Sequence, residues 1–153
     1  FEKNETFYIK NPSIEFLKSV FEDEKIEKIG HELNYTYILL KQNNITMKNI
    51  KFDISVAAYI LNPTDGKYPI ERIIENYLGV STEKYLKSKG VEETPNQMTL
   101  FEAPQEKDLS LYKYTFYANT IFEVSNILKE KLQEIEHEEN EEVDENIENE
   151  EFE

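Results

Sequence analysis

The run ISVAAYIL, residues 54–61, contains no charged side chain and directly follows the strand-like stretch ITMKNIKFD. A helix that is apolar on all sides needs burial against a sheet and neighbouring helices. Pro63 ends this run, and Pro69 opens a second, amphipathic helix, PIERIIENYLG, which closes at Gly79. The arrangement predicts an α/β fold in which a small sheet is covered by helices.

The rest of the chain extends this alternation of strands and helices. Short strands are predicted at 5–10 and 25–30, and helices with apolar residues at helical spacing are predicted at 13–23 and 33–43. The stretch 81–108 is predicted as a loop with one helical turn near residues 83–88. A last helix is indicated by the apolar positions Tyr117, Ile121, Val124, Leu128, Leu132 and Ile135.

Charge divides the chain into two parts. Twelve of the 32 acidic residues lie between Glu134 and Glu153, where Lys and Arg are absent. The other 20 acidic residues stand against 17 basic ones, so residues 1–133 carry only −3 of the total charge of −15. Dense like charge with few apolar residues keeps a segment solvated. We therefore expect one domain at 1–133 and, at 134–153, an acidic linker, a disordered tail or the frayed end of a helix.

Composition excludes several classes of site. Cysteine is absent, which rules out disulfides, thiolate nucleophiles and sulfur-based zinc sites and fits a reducing cytoplasm. Arg72 is the only arginine, so bidentate guanidinium contacts to phosphate are nearly unavailable. No apolar run is long enough to span a membrane. We expect a cytoplasmic monomer that is a piece of a longer protein, because its first residue is Phe1.

The stretch FDISVAAYILNPTDGKYPIERIIENYLG resembles the strand-to-helix segment of the 3′–5′ exonuclease domain of bacterial family A DNA polymerases, the DNA polymerase I type. FEDEKIEKIGHELNYTYILLKQNNI is similar to the segment around that family's second exonuclease motif, and YKYTFYANTIFEV lies where the third motif belongs. The likeness covers residues 7–135. It implies a ribonuclease H-like exonuclease fold, a small mixed sheet flanked by helices, truncated at its N-terminal strands.

In that family four carboxylates hold two divalent metals, magnesium in active relatives, and a Tyr helps to position the attacking water. The Asp and Glu of the first motif would lie on a strand before Phe1. The second motif, matched onto residues 33–36, has Thr36 at its Asp position. The third has Tyr114 at its Tyr position and Ala118 at its Asp position. The resemblance thus implies that two metal-binding carboxylates are missing, so we expect no catalytic residue, no bound metal and no cofactor in this domain.

Single side chains that could act in catalysis have simpler interpretations. Asp53 directly precedes an apolar helix and is predicted as its N-cap, an interaction worth about 0.5–2 kcal/mol. For Tyr114, packing of a helix against the sheet is favoured over the positioning of water. His31 has no carboxylate partner at an evident spacing and is predicted as a structural or exposed histidine. His137 lies in the acidic tail and is predicted to be solvated.

These expectations combine into a catalytically degenerate exonuclease-like domain with a structural role beside an adjoining polymerase domain. The parent protein would be a DNA-directed DNA polymerase of replication and repair, and this fragment would bind DNA weakly or not at all. Two alternatives stay open. One is an active nuclease that uses other carboxylates, for instance Glu32 and Glu123, and the other is an interaction module whose acidic tail, residues 134–153, recruits a basic partner.

Overall fold

Two short parallel strands organise the fold in a computed structural model that describes the backbone of residues 5–90 and 109–150 and the side chains of residues 5–90 and 109–137. Strand β1 (Lys28–Gly30) pairs with β2 (Ile50–Asp53), and the register ends with Gly30 opposite Asp53. Parallel strands need a crossover connection, which helix α2 (Leu33–Gln42) provides. Both strands therefore finish at the same edge of the sheet.

Helices make up most of the described chain. Their bounds are α1 (Ile14–Phe21), α2, α3 (Ile54–Leu61), α4 (Ile70–Leu78), α5 (Thr82–Ser88) and α6 (Leu109–Glu150), with a 3₁₀ turn at Pro63–Asp65. The hydroxyl of Ser13 caps α1 and that of Ser81 caps α5. Gly79 ends α4 at φ 67°, a left-handed conformation that glycine adopts without a steric penalty from Cβ, as the sequence predicted.

The larger hydrophobic cluster joins α3, α4 and α6, and we call it the α3–α4–α6 cluster. It contains Ile54, Ala57, Ala58, Ile73, Ile74, Phe116, Tyr117, Val124 and Leu128. Ile54, Ile74, Val124 and Leu128 are fully buried. The Tyr85 ring of α5 stacks on Phe116 with the ring centroids 4.4 Å apart, so α5 closes one side of this cluster.

A second and separate cluster holds α1 against α2, and we call it the α1–α2 cluster. Leu40, Ile45 and Met47 are its buried members, and Leu17 and Phe21 of α1 pack against them. This packing confirms the apolar spacing that predicted α1 and α2. Among the described residues the two clusters have no member in common.

Two predictions about local structure need correction. Residues 5–10 form no strand, because a strand needs a hydrogen-bonded neighbour and β1 and β2 pair only with each other in the described part of the chain. Helix α3 is buried on one side only, since Val56, Tyr59 and Ile60 are 54–57% exposed. The acidic segment is helical from residue 134 to residue 150, as the end of α6, which agrees with one of its predicted forms, and its role as a linker stays a prediction.

The sequence predicted a loop at residues 81–108 with one helical turn near residues 83–88. The predicted helical turn near residues 83–88 is confirmed as α5, whereas the loop predicted at 91–108 lies outside the described residues. None of the helices in the described ranges combines the length and the apolar character that a membrane span requires. The α/β prediction is confirmed, with a two-stranded sheet in the part of the chain that the structure describes.

Candidate functional site

Asp53 is the last residue of β2 and lies opposite Gly30, the last residue of β1. It is therefore close to both strand-to-helix connections, from β1 to α2 and from β2 to α3. Its Oδ1 accepts from the backbone N–H of Ser55 at 2.9 Å and from the Ser55 hydroxyl at 2.7 Å, which confirms the predicted cap of α3. The same carboxylate also reaches across to the start of α2. The N–H groups of Glu32 and Leu33 donate to Oδ1 and Oδ2 at 3.1 and 2.7 Å.

The cap that Asp53 provides at the start of α2 was not predicted from the sequence. Asp53 lies 20 residues after Leu33, so no local spacing connects them. The available signal was the pairing of parallel strands, because strands that end together bring their last residues to one edge. Glu32, the residue at the N-cap position of α2, adopts a left-handed conformation at φ 50° and makes no side-chain cap of its own. The start of α2 therefore depends on Asp53.

A cleft of about 580 Å³ opens beside this junction. His31, Ser55 and Tyr59 contribute to its walls, and the Tyr68 ring meets Tyr59 edge to face at 5.9 Å. Nε2 of His31 lies 2.7 Å from the backbone carbonyl oxygen of Tyr68. Because a carbonyl oxygen only accepts, Nε2 must carry the proton in this contact. His31 thus has the structural role that its sequence position predicted, and His137 is exposed, as predicted.

Glu71, at the edge of the same cleft, joins α4 to α6 through two partners. The Tyr117 hydroxyl donates to Oε1 of Glu71, and Nζ of Lys113 lies 3.5 Å from that oxygen. Burial raises the pKa of the Glu71 carboxyl, but the hydrogen bond from Tyr117, a hydrogen bond from the backbone N–H of Glu71 and the charge of Lys113 together outweigh it and bring the pKa below its ordinary 4.5. Tyr117 is 46 residues from Glu71, so the sequence carried no local signal for this contact.

The three residues that were matched to the exonuclease motifs lie on helices α2 and α6. Thr36 is half-buried on α2, and Ala118 is exposed on α6. Tyr114 is also on α6 and is 59% exposed, with its ring edge-on to Tyr117 at 6.3 Å. The interpretation of Tyr114 as a packing residue is therefore wrong for the described structure, because the buried face of α6 carries Tyr117 and not Tyr114.

Neither Thr36 nor Ala118 carries a carboxylate. Hard cations require anionic oxygen ligands, whereas Thr36 offers a neutral hydroxyl and Ala118 no oxygen at all. Glu32 and Glu123, the carboxylates considered as replacements, are both exposed. Within residues 5–90 and 109–137, no three His, Asp or Glu side chains are grouped so that they could hold a metal ion.

Comparison with known proteins agrees with this fold. The family described as DNA polymerase I, ribonuclease H-like domain, matches residues 2–113, which is more than two thirds of the chain. DNA polymerase I of Rhizobium leguminosarum is 32% identical over 63 residues, which make up 41% of this chain and 6% of that protein. The chain thus matches only a small part of the length of that relative. The match confirms the predicted resemblance up to residue 113, whereas the assignment of Tyr114 and Ala118 to the third motif lies outside the matched residues and stays a prediction. The chain belongs to the family of ribonuclease H-like domains of DNA polymerase I.

Proposed function

We propose that this chain is a 3′–5′ exonuclease-like domain of a DNA polymerase I type protein that has lost its nuclease chemistry and serves as a structural support. The observation that carries the proposal is the identity of two residues, Thr36 and Ala118, at the positions that resemble the second and third exonuclease motifs. In active relatives, carboxylates at these positions bind the catalytic metals.

Thr36 and Ala118 lack the negative charge that a metal-dependent nuclease needs at these two positions. Two aspartates would bring two negative charges toward a pair of dications, whereas a hydroxyl and a methyl group bring none. A neutral hydroxyl is a poor substitute for a carboxylate as a ligand for magnesium or manganese. Thr36 and Ala118 therefore do not fit a two-metal centre, and the residual donor set is too weak to hold one.

The carboxylates that lie close to the junction have other roles. Asp53 accepts four hydrogen bonds from Glu32, Leu33 and Ser55. Glu71 is engaged by Tyr117 and Lys113. A carboxylate that already accepts several hydrogen bonds would have to give them up to become a metal ligand. The hydrogen bonds of Asp53 and Glu71 therefore disfavour an active nuclease that recruits neighbouring acids.

The structural role is supported by the preservation of packing around α6. Val124 and Leu128 are fully buried against the other helices, although Ala118 on the same helix stands at a position where active relatives carry a carboxylate. The partner that fits best is the adjoining polymerase domain of the same protein. We place that protein in the cytoplasm as a monomeric DNA-directed DNA polymerase of replication and repair, with weak or no DNA binding by this domain.

An exonuclease assay on the whole parent protein tests the proposal. The substrate is a single-stranded oligonucleotide with a 3′ label, and magnesium and manganese are supplied in separate reactions, with an active bacterial DNA polymerase I as positive control. We expect no stepwise removal of 3′ nucleotides by the unaltered protein. Removal that disappears in a Glu32→Gln, Glu123→Gln double variant would overturn the proposal in favour of a nuclease with replacement carboxylates.

A further inference from the structure

The residues that were matched to the exonuclease motifs lie on helices that pack in different hydrophobic clusters. Thr36 lies on α2, which packs in the α1–α2 cluster, whereas Tyr114 and Ala118 lie on α6, which packs in the α3–α4–α6 cluster. No side chain belongs to both clusters within the described residues. Polar links and the short sheet therefore contribute to the relative position of α2 and α6.

Asp53 provides the densest of these polar links. Its carboxylate accepts two hydrogen bonds from backbone N–H groups at the start of α2 and two hydrogen bonds from Ser55 at the start of α3. Hydrogen bonds to an ionised acceptor are stronger than those between neutral groups. The first N–H groups of a helix have no acceptor within the helix, so Glu32 and Leu33 have a specific need for this carboxylate.

We propose that Asp53 couples the two clusters and thereby fixes the position of Thr36 relative to Ala118. The four hydrogen bonds among Asp53, Ser55, Glu32 and Leu33 form what we call the Asp53 junction. His31 supplies a second and weaker link, through the single hydrogen bond from its Nε2 to the Tyr68 carbonyl oxygen. The inference concerns the rigidity of the domain, and it holds whether or not the domain cleaves DNA.

Amide hydrogen exchange on the full chain, measured first on the unaltered chain and then on Asp53→Asn, tests the coupling. The N–H groups of Glu32, Leu33 and Ser55 share one acceptor, so we expect all three to exchange through the same opening and with similar protection. Protection of Leu33 should fall about tenfold or more in Asp53→Asn, since a hydrogen bond to a charged group contributes on the order of 1.5–3 kcal/mol. Fast exchange of Leu33 beside a protected Ser55 in the unaltered chain would overturn the proposal.

A distance measurement tests the consequence for the two clusters. The chain has no cysteine, so Asn34→Cys on α2 and Glu123→Cys on α6 introduce two exposed sites for spin labels. We expect Asp53→Ala to broaden or shift the distance distribution between the labels. The matched control is Ser13→Ala, which removes a cap from α1 alone and should leave the distribution unchanged.

Each outcome of the labelling experiment bears on the coupling. A folded Asp53→Ala chain with the unaltered distribution would contradict it, as would a change of equal size in Ser13→Ala. If Asp53→Ala does not fold, Asp53→Asn replaces it, because the amide keeps one acceptor oxygen and loses the charge. His31→Ala should give a smaller broadening than either Asp53 variant, since it removes only one hydrogen bond.

Discussion

Helix α6 has two neighbouring faces, of which one is buried in the hydrophobic core and the other is exposed. One face carries Val124 and Leu128, both 0% exposed, and holds α3 and α4 in place. The adjacent face carries Tyr114, which is 59% exposed, and Ala118, which is exposed as well. Packing and motif chemistry therefore occupy different positions on one helix. The proposed loss of nuclease chemistry would therefore leave this packing undisturbed.

The buried face of α6 should give the largest loss of stability. Leu128→Ala leaves a cavity in the α3–α4–α6 cluster and should lower the free energy of unfolding by about 2–5 kcal/mol. Ile135→Ala is the matched control, because Ile135 lies on the same helix and is partly exposed. Urea unfolding followed by circular dichroism measures both. Equal losses in the two variants would contradict the division between the faces.

Disruption of the Asp53 junction should cause the second-largest loss of stability. Asp53→Ala removes caps from two helices, so we expect a loss of about 2–3 kcal/mol, against about 1 kcal/mol for Ser13→Ala, which removes one. Chemical denaturation of both variants at the same pH provides the comparison. If the two losses are the same, the bonds from Asp53 to α2 contribute nothing to stability.

Glu71 at the contact between α4 and α6 should have a smaller effect that depends on pH. Its folded pKa is lowered, so its contribution is present above the ordinary value of 4.5 and is lost as the pH falls below 4.5 through the folded pKa. Because the side chain is partly exposed, Glu71→Gln should cost only about 0.5–1 kcal/mol at neutral pH.

The measurement for Glu71 is the difference in unfolding free energy between the unaltered chain and Glu71→Gln as a function of pH. That difference should shrink on acidification below 4.5. Glu75→Gln, at an exposed position on the same helix, serves as the control for the loss of one negative charge. A difference for Glu71→Gln that grows toward acid would mean that burial, and not the bonds from Tyr117 and Lys113, determines the pKa.

The exposed face of α6 should give the smallest effect. Tyr114→Ala should change the unfolding free energy by no more than about 0.5 kcal/mol, as is usual for surface substitutions. Tyr117→Ala, three residues away, removes a buried ring and its hydrogen bond to Glu71 and should cost several times more. A large loss for Tyr114→Ala would show that this face packs against something that the described residues do not include.

Sequence reasoning succeeded where the determining interactions are local or periodic. Helical spacing of apolar residues located α1, α2, α4 and the buried face of α6. Asp53 was identified as the cap of α3 because it directly precedes an uncharged helical run. Gly79 was identified as the end of α4 because a left-handed conformation there favours glycine.

The same reasoning failed where the partner is distant in the chain. The bond from Leu33 to Asp53 and the bond from Tyr117 to Glu71 join residues 20 and 46 positions apart. Composition alone also suggested burial on most sides of α3, whereas the described fold covers one side and leaves Tyr59 and Ile60 exposed. Apolar character thus predicted that α3 packs, and only the three-dimensional arrangement decided which residues pack.

The most direct test of the central claim is a titration with manganese of the domain, extended upstream of Phe1 to include the strand on which the first exonuclease motif is expected. Binding is followed by the loss of the electron paramagnetic resonance signal of free manganese. We predict no tight binding by the unaltered domain and a gain of binding in the Thr36→Asp, Ala118→Asp double variant, which restores both carboxylates. Tight binding of two manganese ions by the unaltered domain would contradict the loss of its metal site.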